Sequence, residues 1–394
     1  MELWYIRKQY GAADLWHSYL VYRVLNESDF TIHCFVEIRY LANCLCRQTQ
    51  AEYKAVINIL CWLVLERYVG MQGYREDGVH DGNTRNLGQN LLSVAAYLDN
   101  LPLARQLLSD GYHPTTDSNI IPSPIQLAAW AGNIDMLKLF QEHLPDFESI
   151  PSEHDSWRGK TGPGSIKGAS MRGDLDILHL VIYPPSRATS DSEDFAGYPV
   201  GQVDPRSKQG RDLQSALLCA RTLETFQYIR RFFQDLEFDN QTLLVHYAEL
   251  GNVDIVRYLL DEGADVNGGG RLNCNPLSCA ARYWHEDVVD LLLERGADPN
   301  YRIMQQRGSP LRGAATGGSI SIMRKLINSG AKVVDNDWSP LFEATRLEHT
   351  AMVTLLLDLN IGDATARSQV LELTSDLGLD SMVQLLKQRG IRLA

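Results

Sequence analysis

The sequence predicts an all-α fold in which helix–turn–helix units stack into a solenoid. A short pattern occurs twice between Gly251 and Asn300, ending first at Asn267 and then at Asn300. The matching glycines of the two copies, Gly263 and Gly296, lie 33 residues apart, and a fixed period of this size is typical of stacked repeats. Within each copy the apolar residues also recur at helical spacing. These observations favour a repeat array over one large core.

Each copy predicts two helices of different character. In the first copy, a leucine-rich helix has its apolar face at Val253, Val256, Leu259 and Leu260. Gly263 follows where a left-handed residue ends a helix, a conformation that glycine adopts without a steric clash. Ahead of the second copy, Pro276 suits the first turn of a shorter helix. The small residues Ala280 and Ala281 allow a neighbouring helix to approach closely.

These segments resemble the ankyrin repeat. The run Asn275-Pro-Leu-Ser-Cys-Ala-Ala281 is similar to the Thr-Pro-Leu-His-x-Ala-Ala element of that family, and the run from Leu291 to Asn300 matches its second half almost letter for letter. The resemblance implies about nine repeats with β-turn tips between residues 90 and 394. Their divergent, insertion-bearing style is similar to that of the large ankyrin families of filamentous fungi.

Composition and charge limit the classes of function. The 394 residues include 44% hydrophobic and 22% charged residues, which fits a folded, soluble protein. The formal net charge of −12 argues against binding to nucleic acid or to an anionic membrane, because both need a concentrated basic surface. The seven cysteines form no paired motif, so we expect free thiols in a reducing compartment.

The chain shows no segment that predicts secretion or membrane insertion. Its N-terminus lacks a basic stretch followed by an apolar core. The most apolar window, residues 55–65, is shorter than the roughly 20 residues that span a bilayer. We therefore expect a cytoplasmic or nuclear protein.

Residues 1–89 lack the repeat and are expected to form an N-terminal helical region and linker. Apolar and aromatic residues predict helices over residues 15–25, 36–46 and 53–68. From Gly70 to Gln89 the composition shifts to Gly, Asp, Asn and Arg, which indicates a linker. The region is expected to cap or flank the array, since a terminal repeat must cover an apolar face. A degenerate F-box-like module, or a segment that partners another chain, stays open as an alternative.

Residues 90–394 are expected to form the array, with two interruptions. Gly132 and Gly173 lie 41 residues apart, which predicts an insertion near residues 145–163. Residues 183–211 combine prolines with Ser, Thr and Asp clusters and predict a long surface loop. The last repeat has a more polar first helix, as a C-terminal cap should.

The sequence offers no convincing catalytic, cofactor or metal site. Gly159-Lys160-Thr161 resembles the end of a phosphate-binding loop, but His154 occupies the position of its first glycine. The glycines at 268–270 lack dinucleotide-binding spacing and follow a helix rather than a strand. Cys274 and Cys279 have no histidine pair at zinc-ligand spacing. We expect no enzyme activity, no cofactor and no metal.

Some polar residues are expected to be structural. The resemblance places His285 and His349 at the turn between the two helices of a repeat, where the family often carries histidine. Asp254 and Asp287 lie at helix starts, where a carboxylate complements the helix dipole.

The resemblance also implies a function and a candidate site. Ankyrin arrays generally bind other proteins through their concave face and turn tips. The family's variable positions around repeat six fall on Arg271, Leu272, Arg282, Tyr283, Trp284, Tyr301 and Arg302. Trp, Tyr and Arg are enriched in binding hot spots, and Trp284 stands where the family usually has glycine. The alternative is a purely structural role, in which Trp284 packs under a neighbouring turn and the arginines are solvated.

We therefore predict a non-enzymatic scaffold or adaptor that binds a partner protein. A substrate-recruiting adaptor of a ubiquitin ligase, or an accessory protein of a biosynthetic pathway, are the alternatives. Tyr97 and Trp130 occupy helix ends comparable to the candidate site in repeats one and two.

Overall fold

A computed structural model gives the structure of the chain. It describes residues 13–27, 33–69, 84–118, 120–144, 163–182, 208–233, 240–269, 275–301, 309–332 and 339–392. The regular elements in these ranges are 21 helices, so the predicted all-α fold is confirmed. The described residues fall into two compact units, one ending at residue 233 and the other starting at residue 240.

The first unit contains three N-terminal helices and four helix pairs. The N-terminal helices are α1 (Ala13–Asn26), α2 (His33–Thr49) and α3 (Tyr53–Val69). The pairs are α4 (Thr84–Tyr97) with α5 (Leu101–Ser109), α6 (Pro124–Ala131) with α7 (Ile134–Glu142), α8 (Pro163–Arg172) with α9 (Leu175–Ile182), and α10 (Lys208–Leu218) with α11 (Leu223–Arg230). The first helices α4, α6, α8 and α10 contact one another in sequence order, and α2 packs against α4.

The second unit contains five helix pairs in the same arrangement. They are α12 (Asn240–Leu250) with α13 (Val253–Asp261), α14 (Pro276–Arg282) with α15 (Glu286–Glu294), α16 (Pro310–Gly317) with α17 (Ile320–Asn328), α18 (Ser339–Arg346) with α19 (Thr350–Asp358), and α20 (Ala364–Asp376) with α21 (Asp380–Gln388). The first helices again contact each other in sequence order, from α12 to α20.

Capping residues fix where these helices begin. The side chain of Asn275 accepts a hydrogen bond from the Ser278 amide at 2.6 Å, and Pro276 follows at the first helical position. Ser309 and Pro310 repeat this arrangement at the start of α16. Each cap satisfies an amide that has no partner within the helix, which typically stabilises the helix by about 1 kcal/mol.

Small residues let the first helices pack closely. Ala280 and Ala281 are completely buried, as the sequence predicts. A Cβ added to Gly313 would lie 2.4 Å from the carbonyl oxygen of Ser278, so α14 and α16 approach too closely for a side chain there. The repeats therefore stack through backbone proximity as well as through leucine packing.

The buried face of α13 differs slightly from the predicted one. Ile255, Val256 and Leu259 are completely buried, whereas Val253 and Leu260 are only half-buried. Ile255 takes the core position because it lies four residues before Leu259, on the same face. Gly263 has a φ of +87°, so its predicted left-handed conformation is confirmed.

Asparagines join the tips of neighbouring repeats. The Asn267 side chain accepts the Asp298 amide at 2.8 Å, and the Asn300 side chain accepts the Lys332 amide at 2.6 Å. The tips themselves are turns, closed by amide-to-carbonyl bonds from Gly268 to Asp265 and from Tyr301 to Asp298. This recurring bond explains why the sequence pattern of each copy ends in Asn.

The expected linker and the expected long loop each overlap a described helix. Helix α4 begins at Thr84, so residues 84–89 belong to the first repeat rather than to the linker. There the Gln89 side chain donates to the carbonyls of His113 and Thr116 at 2.9 Å. Helix α10 likewise begins at Lys208, inside the expected loop.

Other expectations lie outside the described residues. These are most of the insertion near 145–163, the greater part of the loop at 183–211, the phosphate-loop-like segment at 159–161, Gly270 and Cys274.

Candidate protein-binding surface

The turns between paired helices share one backbone feature in the second unit. In each turn one residue adopts a positive φ: Gly251 (+76°), Trp284 (+67°), Gly318 (+76°), Glu348 (+55°) and Gly378 (+71°). We call the surface formed by these five turns the turn ridge; it comprises residues 249–254, 282–287, 316–321, 346–351 and 376–381. Such a conformation is easy for glycine and costly for residues with a side chain.

Side chains connect each turn of the ridge to the next. His285 Nε2 lies 2.9 Å from the Glu249 carbonyl oxygen, and His349 Nε2 lies 3.2 Å from that of Thr316. The Ser381 hydroxyl donates to the Glu348 carboxylate at 2.9 Å. Both histidines are therefore structural, as the resemblance implied.

The His285 ring is held in a tight site. A Cβ on Gly251 would lie 2.3 Å from His285 Nδ1, so only glycine fits beside the imidazole. Burial lowers the pKa of His285, and the hydrogen bond to the Glu249 carbonyl opposes this effect only partly. The neutral imidazole is thus the form that the folded turn favours.

Trp284 both packs on the next turn and stays exposed. Its indole N–H donates to the Gly317 carbonyl, and a Cβ on Gly317 would lie 2.9 Å from the indole nitrogen. The side chain is nevertheless 56% exposed. Because Gly317 has no side chain, the indole covers that turn and still presents an aromatic surface to solvent.

Tyr283, next to Trp284, is held by the previous repeat. It caps the C-terminus of α14, and its hydroxyl donates to the Glu249 carboxylate of the previous repeat. Burial raises the pKa of Tyr283, and the nearby Glu249 charge raises it further. The phenol therefore stays neutral and is committed to this contact, which leaves Trp284 as the exposed aromatic group of the turn.

The predicted site residues that the structure describes lie at two different ends of α14. Trp284 follows the C-terminus of α14, and Arg282 is half-buried at that same end. Tyr301 lies at the opposite end, where its carbonyl accepts the Asn275 side chain at 3.5 Å. The two ends are roughly 12 Å apart along the helix.

The remaining three predicted residues, Arg271, Leu272 and Arg302, lie outside the described residues.

Sequence reasoning missed two exposed leucines on the turn ridge. Leu250 is 53% exposed and Leu377 is 52% exposed. Each directly precedes the positive-φ glycine of its turn, Gly251 or Gly378. Aligning the repeats on their turn glycines would have revealed this recurring apolar position.

A charged cluster lies on the neighbouring first helices. Glu343 is buried and accepts hydrogen bonds from Arg312 at 2.5 Å and from Arg346 at 2.7 Å. Burial alone would raise the pKa of Glu343, but the bonds from Arg346 and Arg312 outweigh it and lower the pKa overall. The cluster is an ion-paired contact between α16 and α18.

The first unit carries a comparable aromatic pair. The rings of Tyr97 and Trp130, at the ends of α4 and α6, lie 5.7 Å apart and tilted by 53°. This is a favourable geometry for aromatic side chains. The two helix ends that the sequence singled out are thus in contact.

The described part of the chain offers neither a metal-binding cluster nor a membrane-spanning helix. No group of three or more His, Cys, Asp or Glu side chains there is arranged to hold a metal ion. Among the described helices, none combines the length and apolar character needed to cross a bilayer.

Comparisons with known proteins identify the repeat. The family model described as "Ankyrin repeats (3 copies)" matches residues 215–303. The chain is 50% identical over 58 residues to palmitoyltransferase AKR1 of Lachancea kluyveri, covering 14% of this chain and 8% of that protein. It is 46% identical over 107 residues to palmitoyltransferase Hip14 of Drosophila melanogaster, covering 26% and 17%.

A third relative aligns over a longer stretch. The ankyrin repeat and KH domain-containing protein mask-1 of Caenorhabditis elegans is 31% identical over 220 residues, which is 55% of this chain and 7% of that protein. The chain thus spans less than a fifth of each of these relatives. It contains ankyrin repeats, which indicate protein–protein interaction.

Proposed function

We propose that this protein is a non-catalytic adaptor that binds a partner protein, with Trp284 at the centre of one contact surface. The main support is the combination of a costly backbone conformation and a large exposed side chain at Trp284. Glycine occupies the matching position in three of the other four turns of the ridge. A tryptophan that replaces glycine at a positive-φ position and exposes its indole has the properties of a binding hot spot.

An adaptor needs a second surface, and the N-terminal helices offer one. Tyr22 on α1 is 63% exposed and Tyr40 on α2 is 56% exposed. Tyrosine supplies a large contact area with few torsions to restrain. In the ubiquitin-ligase version of the proposal, a ligase subunit binds these helices. That version fails if the wild type captures no ligase subunit. It also fails if a Tyr22→Ala/Tyr40→Ala variant retains every ligase subunit that the wild type captures.

The test is affinity capture from cells of the source organism with quantitative mass spectrometry. The full chain is compared with Trp284→Gly and with Glu348→Gly, which makes the same backbone change two turns further along. A partner at the proposed site is retained by wild type and Glu348→Gly and lost by Trp284→Gly. Equal retention by all three moves the site away from Trp284. The absence of any specific partner contradicts the adaptor proposal.

A further inference from the structure

The most exposed apolar side chains of the second unit recur at one structural position. Among its described residues, three large hydrophobic side chains are more than half exposed: Leu250, Trp284 and Leu377. All three lie in the turns between paired helices, at the positive-φ residue or directly before it. Leu347, half-buried, occupies the same position in the fourth turn.

The turns that carry these side chains are bonded one to the next. The bonds from His285 to Glu249, from Trp284 to Gly317, from His349 to Thr316 and from Ser381 to Glu348 join all five turns. The third turn has only glycines at this position, Gly317 and Gly318, and the indole of Trp284 covers the first of them. The Trp284 indole therefore supplies the apolar surface at this position of the third turn, where glycine has no side chain.

Acidic side chains outnumber basic ones in the same turns. The turn ridge contains seven carboxylates and two arginines: Glu249, Asp254, Glu286, Asp287, Glu348, Asp376 and Asp380, with Arg282 and Arg346. Three of the carboxylates are already engaged: Glu249 accepts the Tyr283 hydroxyl, Glu286 lies 3.3 Å from Lys325 Nζ, and Glu348 accepts the Ser381 hydroxyl at 2.9 Å. The other four are exposed, and so is Glu348.

The cations near the ridge do not balance this charge. Arg346 is bonded to the buried Glu343 carboxylate, and Arg282 is half-buried. The exposed Arg257 and Arg324 lie about one helical turn outside the ridge on the second helices. The ridge as a whole therefore combines exposed apolar side chains with an excess of negative charge.

We propose that the turn ridge docks a lysine- or arginine-rich segment of a partner protein, with apolar residues spaced to meet the exposed Leu and Trp side chains. This inference rests on the proposed function and names the partner's chemistry. Opposite charge steers such a segment to the ridge, and burial of its apolar residues holds it there. The same negative charge disfavours nucleic acid and anionic membranes as occupants.

The spacing of the turns defines what the segment must look like. Packed helices lie about 8–10 Å apart, so exposed side chains of neighbouring turns recur at roughly that distance. Two turns of a helix advance about 11 Å, which matches apolar residues seven positions apart. An amphipathic basic helix therefore meets successive turns with one face.

The probe is a synthetic helical peptide of about 20 residues, with leucines on one face and lysines on the other. A second peptide carries glutamate in place of every lysine. Fluorescence anisotropy measures the affinity of each for the full chain at low and at physiological salt. We expect the lysine peptide to bind, its affinity to fall with salt, and the glutamate peptide not to bind.

Matched charge reversals localise the contact. Asp287→Lys/Glu348→Lys reverses two ridge charges and is expected to weaken the lysine peptide by about tenfold or more. Glu294→Lys/Glu372→Lys reverses two exposed carboxylates away from the ridge, on α15 and α20, and is expected to change affinity by less than about twofold. Circular dichroism checks that both variants are folded.

Three results overturn the proposal: equal weakening by both variants, wild-type binding that is independent of salt, or binding of the glutamate peptide as tight as that of the lysine peptide. The salt dependence is measured on the wild type, so it decides the question even if a variant does not fold. A partner captured through Trp284 that contains no basic segment would leave the proposed function standing and refute the inferred chemistry.

Discussion

Replacing Trp284 by glycine and by alanine separates what the indole contributes to stability from what its backbone costs. Trp284 has a φ of +67°, and a side chain in this region costs roughly 1–2 kcal/mol. Glycine avoids that cost, whereas alanine retains it. We therefore expect Trp284→Gly to be about 1 kcal/mol more stable than Trp284→Ala.

The contacts of the indole set the difference from the wild type. The side chain is 56% exposed, so a little under half of the roughly 250 Å² that a tryptophan can bury is covered. At about 25 cal/mol per Å², this contributes at most about 2–3 kcal/mol. The hydrogen bond to the Gly317 carbonyl adds about 1 kcal/mol. Both variants lose these contacts, but only glycine also removes the cost of the positive φ. We therefore expect the free energy of unfolding to fall by about 2 kcal/mol for Trp284→Gly and by about 3 kcal/mol for Trp284→Ala.

Equilibrium unfolding in urea, followed by circular dichroism, measures these differences on the full chain. Glu348→Gly is the matched control because Glu348 has a φ of +55° and is exposed. It is expected to leave stability unchanged or to raise it by up to about 1 kcal/mol. Equal stability of the glycine and alanine variants at 284 would refute the backbone argument. A Trp284→Gly variant more stable than the wild type would refute the assigned indole contacts.

Three further predictions concern the contacts between repeats. Gly251→Ala should destabilise the protein by about 2–3 kcal/mol, because its Cβ would clash with the His285 ring. Gly263→Ala is the control: its added Cβ meets nothing within 4 Å, so it should cost only about 1 kcal/mol. Urea unfolding measures both. Burial lowers the pKa of His285, so the neutral ring stabilises the fold above about pH 6.5 and this contribution is lost as pH falls below that value. In thermal melts, His285→Gln should therefore remove this part of the pH dependence of stability. The lowered pKa of Glu343 makes its contribution present above about pH 4.3 and lost as pH falls through the folded-state pKa; Glu343→Gln should cost about 3 kcal/mol at neutral pH and much less in acid.

Residues whose type is fixed by backbone or packing were predictable from the sequence. Pro276, Gly263 and the alanines Ala280 and Ala281 occupy the positions that the pattern assigned to them. Each of these residue types suits one local geometry, so the residue type alone predicts the backbone conformation or the close packing at that position. The period of 33 residues then repeats that geometry along the chain.

Residues whose role depends on a neighbouring repeat were predictable only in part. The sequence flagged Trp284 because it replaces a glycine, but the contact with Gly317 depends on how two turns stack. The sequence also grouped Tyr301, at a repeat tip, with Trp284, after a first helix, because the repeat pattern does not give the distance between those two places. The helix boundaries supply that information and place the two residues at opposite ends.

The turn ridge shows why a repeat protein can change its partner without losing its fold. Leu250 and Leu377, each directly before a positive-φ glycine, are more than half exposed, so the core does not determine their residue type. The bonds that join adjacent turns use mainly backbone carbonyls, which every residue type provides. Exposed side chains such as Leu250 and Leu377, which make none of these bonds, are therefore free to vary while the stacking persists. An apolar residue retained there in several turns is better explained by a contact outside the chain than by stability within it.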